Sequence, residues 1–433
     1  MAYTEIPQSI QHFMEQMTQK CHEANQPRWA ENFNAGFANT LLTTVRRYDD
    51  GTTFLLTGDI PAMWLRDSTA QFRPYLVIAK EDDDIRSLIT GLVKRQFKYI
   101  NMDPYANAFN ETPNNKGHQT DHTEMTPWIW ERKYEIDSLC YPVQLAYLLY
   151  KQTGETSQFN EEFHEGVKKI LSVWETEQHH DQSPYCFERD TTRLEDTLTH
   201  DGKGTPVDYT GMTWSGFRPS DDACQYGYLV PSNMFAVVVL GYIVELYSTL
   251  FTDNAVLEQA NKLKKEIDDG IKEHAIVENN DGENIFAYEV DGKGHYSIMD
   301  DSNVPSLMAA PYLGYLDKND PLYLSTRKTL LSKENPYFYE GEFAKGIGSS
   351  HTPENYVWPI ALAIEGLTTD DKQEKERILN LLVDCDGGTH LMHEGFDVNN
   401  PNHFTREWFS WANMMFCELV MDYFDITIEA HYN

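Results

Sequence analysis

Cysteine is scarce: the 433-residue sequence has six, at positions 21, 140, 186, 224, 385 and 417, and none form a C-x-x-C pair. That spacing argues against a zinc ribbon or a dithiol redox motif, and reduced thiols in a cytoplasm are the simplest reading. The H-E-x-x-H pattern that places two imidazoles on one helical face is missing, as are a G-x-S-x-G elbow, a Walker loop, a G-x-G-x-x-G turn and an EF-hand loop. His118 and His122 stand four apart, but Gly117 and Thr120 beside them point to a loop. Neither a metal nor another cofactor is therefore expected. No run of about 18 apolar residues suggests a membrane span, and the opening MAYTEIPQSIQHF lacks the basic and apolar regions of a signal peptide. Without a Pro/Gly/Ser-rich linker, residues 1–433 read as a single domain. Basic residues are outnumbered 35 to 68, for a formal charge of −33. Such a surface repels nucleic-acid phosphates and anionic lipid and leaves a neutral substrate open.

Aromatic residues are plentiful, with 9 Trp, 25 Tyr and 21 Phe. Rings suit both a core and a cleft for sugars, whose C–H faces stack on them. The organising signal is a repeat. A loop rich in polar and aromatic residues runs into a helix that is apolar nearly all round, starting near Met63, Tyr134, Tyr228, Met299, Glu354 and Glu407. Ser, Asp or Asn near most of these starts suggests N-caps. Between them lie amphipathic segments such as DDIRSLITGLVKRQFKYI and NAVLEQANKLKKEIDDGIKEH, with apolar positions at helical spacing. Alternation of buried and half-exposed helices predicts an all-α fold, an (α/α)6 barrel with six helices inside six. TTFLLTG after Asp50 and the stretch from Ile285 read as short β-hairpins in loops. In such a barrel the polar-aromatic loops converge on one face, where a concave site is expected.

Carboxylates are the remaining candidates for chemistry. Those in apolar or aromatic approach loops stand out: Asp221 and Asp222 in GFRPSDDACQYGYLVPSN, Glu394 in LMHEGFDVNNPN, Asp67 beside Arg66 in WLRDS, and Asp137 in YEIDS. An Asp at a helix start also serves as an N-cap worth about 1 kcal/mol, so Asp67 and Asp137 read equally well as caps. Glu394, followed by Gly395 and a polar run, sits in an extended loop and is harder to explain that way.

Four blocks, DIPAMWLRDSTAQFRPYL, SGFRPSDDA, KGIGSSHTPENYVWPIALA and LMHEGFDVNNPNHFTREWFSWAN, together resemble glycoside hydrolase family 125. The likeness spans residues 59 to 413 and implies an exo-acting α-1,6-mannosidase on an (α/α)6 barrel, inverting and metal-independent. It implies Asp221 as general acid and Glu394 as general base. It also implies mannose contacts at Arg66 and Asp67, with Ser302, Asn303, His351 and Glu354 in matching loops and Trp64 and Trp408 as stacking faces. The expected partner is a short α-1,6-linked mannoside, such as an N-glycan fragment taken up into the cell. Alternatives are another barrel enzyme (a glucosidase, a trehalase, or a sugar 2-epimerase with paired His bases) and a catalytically silent sugar-binding protein. Neither epimerisation nor binding alone requires the Asp221/Glu394 pair.

Overall fold

The computed structural model describes residues 2–428. After α1 (Gln8–Glu23), the helices alternate between an outer and an inner layer. The outer ones are α2 (Pro27–Thr44), α5 (Asp83–Met102), α7 (Glu161–Glu177), α10 (Asn254–His274), α12 (Pro321–Leu330) and α14 (Lys372–Asp384). The inner ones are α3 (Leu65–Phe72), extended by a tight turn and α4 (Leu76–Ala79), then α6 (Ile136–Thr153), α9 (Val230–Thr249), α11 (Ala310–Leu313), α13 (Pro359–Leu367) and α15 (Ser410–Tyr423). A further single turn, α8, covers Thr199–Gly202. Helix α3 packs on α6, α6 on α9 and α13 on α15, and α15 returns to α3; outside, α14 returns to α2. The first and last helices thus meet in both layers, as the expected (α/α)6 barrel requires.

Sequence explains which helix goes where. Outer helices carry one apolar stripe; in α10 Val256, Ala260, Leu263 and Ile267 are buried at helical spacing. Inner helices have no polar face to spare, and α9 is buried from Val230 to Ile243 without a break. By length and composition α9 is apolar enough to cross a membrane, but most of it lies inside this core.

The caps fall where they were not expected. Asp82, Asn160, Asp253, Asp320 and Asp371 accept backbone N–H groups at the starts of outer helices α5, α7, α10, α12 and α14. Inner helices α3, α6, α9, α13 and α15 have no side-chain cap; their N-cap residues are Trp64, Glu135, Leu229, Trp358 and Phe409. Short strands lead into three of them instead. Met63–Trp64 pairs with Ala108–Phe109, Tyr228–Leu229 with Glu289–Val290, and Tyr356–Val357 with Gly395–Asp397. Free N–H groups at these inner ends give that face of the ring a positive potential, which suits a carboxylate-rich site.

The hairpin expected after Asp50 pairs Thr53–Leu55 with Val45–Arg47, and Ile285 lies in a strand paired with Ile276–Glu278. One inner helix is shorter than its sequence suggests. From Met299 the chain stays irregular until Ala310, because the buried Asp300 carboxylate accepts the N–H groups of Leu307 and Met308. Gly314, in the left-handed region at φ 93°, ends the turn.

Candidate active site

In the Arg218–Asp222 turn, the side chains of Arg218, Ser220 and Asp222 are tied into the surrounding protein. Arg218 donates to Glu289 at 2.6 Å, and Ser220 to Asp301 at 2.7 Å. Asp222 is fully buried and accepts from Arg193, Ser350 and His351 at 2.7, 2.6 and 3.0 Å. Asp221 alone turns the other way, toward the ring axis, with its backbone in the left-handed region at φ 68°. Asp tolerates that conformation better than most residues, and such strain persists where neighbours fix the turn. The Lys133 ammonium clamps it by donating to the Asp221 carbonyl at 2.7 Å.

Facing Asp221 is a buried guanidinium. Arg66, from the first turn of α3, donates to Asp221 at 3.1 Å, to Glu135 at 2.5 Å and to Asp137 at 3.2 Å, and its Nε lies 3.5 Å from Asp67. One cation therefore serves four carboxyls, and its flat face lies over Trp411. Asp67 and Asp137 are not caps. Burial drives both up to about 6, with Arg66 pulling the other way. Burial also drives Glu135 well above the usual range, with Asp221 and Asp137 adding to it. Burial raises Asp221 too, but Arg66, a hydrogen bond with Glu135, Lys133 and His351 outweigh it and hold Asp221 below the usual range. Crowded like charges in a low dielectric cannot all ionise at once, and these carboxyls titrate together rather than one by one.

Glu394 approaches from the other side. Its backbone N–H donates to Thr405 at the start of a strand pair, and Met392 before it is tied to Asn413 of α15. Gly395 passes so close to the Trp358 ring that a Cβ there would lie 3.2 Å from it. The Glu394 carboxylate lies 3.6 Å from Arg406, which pairs with Asp59 and covers the Phe409 ring.

Asp221 and Glu394 line one cavity of about 210 Å³, shared with Trp64, Arg66, Asp67, Asn303 and His351. Asp137 lies behind Arg66, fully buried, and Ser302 is buried beside Asp301. Glu354 is exposed, and it and Trp408 lie outside the cavity wall; Phe409 and Trp411 line it in their place. The indole N–H groups of Trp64 and Trp411 are buried with no acceptor inside the protein, so they are free to donate to a ligand. Sequence reading passed over Glu135, Arg406 and Trp411. Glu135 had a signal, being an acid in the same apolar Y-E-I-D stretch that singled out Asp137. A larger cleft of about 660 Å³ opens at the opposite ends of the inner helices, but its central charges, Arg73 and Glu418, already pair at 2.9 Å. Among the described residues no group of three or more His, Cys, Asp or Glu is arranged to hold a metal ion.

Comparison with known proteins identifies the family and the fold. The family model described as metal-independent α-mannosidase, glycoside hydrolase family 125, matches residues 26–421. A Streptococcus pneumoniae metal-independent α-mannosidase, solved in a non-productive complex with α-1,6-mannobiose, is 57% identical with a TM-score of 0.96, covering 99% of this chain and 100% of that one. The meiotically up-regulated gene 157 protein of Schizosaccharomyces pombe is 37% identical over 96% of this chain and 85% of its own length. Neutral trehalase of Saccharomyces cerevisiae shares 12% identity at a TM-score of 0.50, over 88% of this chain and 76% of that one, a likeness of fold alone.

Proposed function

The chain belongs to glycoside hydrolase family 125, the metal-independent α-mannosidases, and on that premise we propose that it removes single non-reducing α-1,6-linked mannose residues with inversion. The observation that carries this reading is that Asp221 and Glu394, from two separate loops, line one cavity. At about 210 Å³ the cavity is smaller than the roughly 300–1,000 Å³ of an ordinary ligand pocket, which suits a single terminal sugar. A site that takes one terminal sugar is exo-acting.

In the proposed reaction Asp221 protonates the glycosidic oxygen as the C1–O bond breaks. Glu394 takes a proton from a water whose oxygen bonds to C1 from the opposite face, so the product is β-mannose. Arg66 and Asp67 sit side by side on the wall, where a donor fork and an acceptor can share adjacent hydroxyls. Trp64, Trp411, Asn303 and His351 surround the same ring. Glu354 and Trp408, outside the wall, would touch the substrate only beyond that ring.

The α-1,6 linkage follows the mannobiose bound by the S. pneumoniae relative. Six unpaired cysteines, four of them buried, suit a reducing cytoplasm. The substrates there are short mannosides, including trimmed N-glycans. Digesting α-1,2-, α-1,3- and α-1,6-mannobiose side by side tests the specificity: only the last is expected to turn over readily. Equal rates on all three would overturn the linkage assignment.

A further inference from the structure

The mechanism above leaves one buried carboxyl of the site, Glu135, without a task. Glu135 is the N-cap residue of α6 and is 1% exposed. One of its oxygens accepts from Arg66 at 2.5 Å and from Ser138 at 2.8 Å. The other, Oε1, is buried and has no donor in the protein. Arg66 reaches Glu135 through Nη1 and Asp221 through Nη2, so one guanidinium fork sets the two carboxyls side by side, in hydrogen-bonding contact.

We propose that Glu135 is the proton partner of Asp221: the two carboxyls hold one proton between them, and this is the proton delivered to the glycosidic oxygen. The inference rests on the reading of Asp221 as general acid. Charge demands such an arrangement. Facing Glu135 are Arg66 from α3, Asp137 from α6, Asp221 from the Arg218–Asp222 turn, and the Cys224 thiol, with Asp67 on the Nε side of Arg66. Lys133 spends its contacts on the Asp221 carbonyl, Asp196 and Glu131. With the pair fully ionised, Oε1 would be a buried anionic oxygen with no donor, a costly state. One shared proton removes that defect and a unit of charge together.

The Asp221 side chain is still 21% exposed, whereas that of Glu135 is fully buried. A mannoside seated in the cavity strips the remaining water from Asp221 and favours its protonated form. The proton then passes from Glu135 to Asp221 and on to the leaving oxygen, both carboxyls ending ionised. Glu394 holds the proton taken from water. It releases that proton to solvent, and the pair recovers one from solvent, so the cycle balances.

Glu135 is a positioning residue, and its test needs more than a rate. Wild type, E135Q, E135D and D221N are assayed on α-1,6-mannobiose and on 2,4-dinitrophenyl α-mannoside, whose leaving group needs no acid, from pH 4 to 9. D221N is expected to lose about 10²–10⁴-fold on mannobiose and far less on the aryl substrate. In E135Q the carboxamide donates to ionised Asp221 and keeps it ionised. The mannobiose-to-aryl rate ratio is then expected to fall at least about tenfold, and the alkaline limb to move down by roughly one pH unit. E135D, which keeps a titrating carboxyl, restores the limb toward wild type. An E135Q ratio and limb equal to wild type would overturn the proposal, whatever the absolute rates, while the D221N result left the acid reading intact. Should E135Q not fold, an E135D profile that differs from wild type only by one uniform factor on both substrates would overturn it equally. A D221N ratio equal to wild type would instead remove the acid reading and this inference together.

Discussion

Arg66 Nη2 stands 3.1 Å from Asp221 Oδ1, which joins the first inner helix to the Arg218–Asp222 turn across the mouth of the ring. The contact sets the direction in which Asp221 points, and Arg66 is the cation that makes a cluster of four buried carboxyls tolerable.

Replacing Arg66 with Met keeps the stem and removes the charge. Breaking a buried pair on one side costs about 3–5 kcal/mol, so R66M is expected to melt several degrees lower and to lose most activity on both mannobiose and aryl mannoside. Calorimetry and steady-state rates check this. A variant with unchanged melting temperature would mean that the carboxyl cluster does not depend on Arg66.

Trp411 offers a separate test of ligand contact. Its buried indole N–H lacks a protein acceptor and lines the cavity. W411F retains a ring for packing and loses the donor, which is worth about 0.5–1.5 kcal/mol. KM for mannobiose is expected to rise roughly two- to tenfold, with a smaller change in kcat. A pure loss of kcat would assign the indole to transition-state stabilisation instead.

His351 links the acid turn to the loop before α13. Burial lowers its pKa, but the hydrogen bond and charge of Asp222, with Glu394 and Asp221 behind it, raise it above the ordinary value. A histidine held charged in the folded state stabilises fully below about pH 6.5, and that contribution fades as pH rises through the raised value. The melting-temperature gap between wild type and H351Q is therefore expected to be widest near pH 6 and to narrow toward pH 9. A gap that widened with pH would show that His351 is neutral in the folded protein.

Much of this arrangement was legible in the sequence. Six apolar helices after six polar-aromatic loops predicted the closed ring, because only a core helix can do without a polar face. Asp221 and Glu394 were legible because carboxyls amid aromatic and glycine-rich turns have few structural reasons to be there. The caps were misplaced because Ser, Asp and Asn near a helix start look alike whether they face N–H groups or a cavity. Glu135 stood in the same apolar stretch as Asp137, but its partner Arg66 lies 69 residues away, and that pairing leaves no local trace. Trp411 rather than Trp408 reaches the cavity because α15 begins at Ser410, a boundary that the W-F-S-W sequence does not fix.

The central claim is a direct displacement by water, with Glu394 as base and Asp221 as acid, and the product anomer tests it most directly. Purified protein is incubated with α-1,6-mannobiose in EDTA, and the first mannose released is followed by proton NMR before mutarotation. Newly formed β-mannose is the predicted result, with E394Q slowed by about 10²-fold or more. Newly formed α-mannose would mean a covalent intermediate and would contradict the role assigned to Glu394.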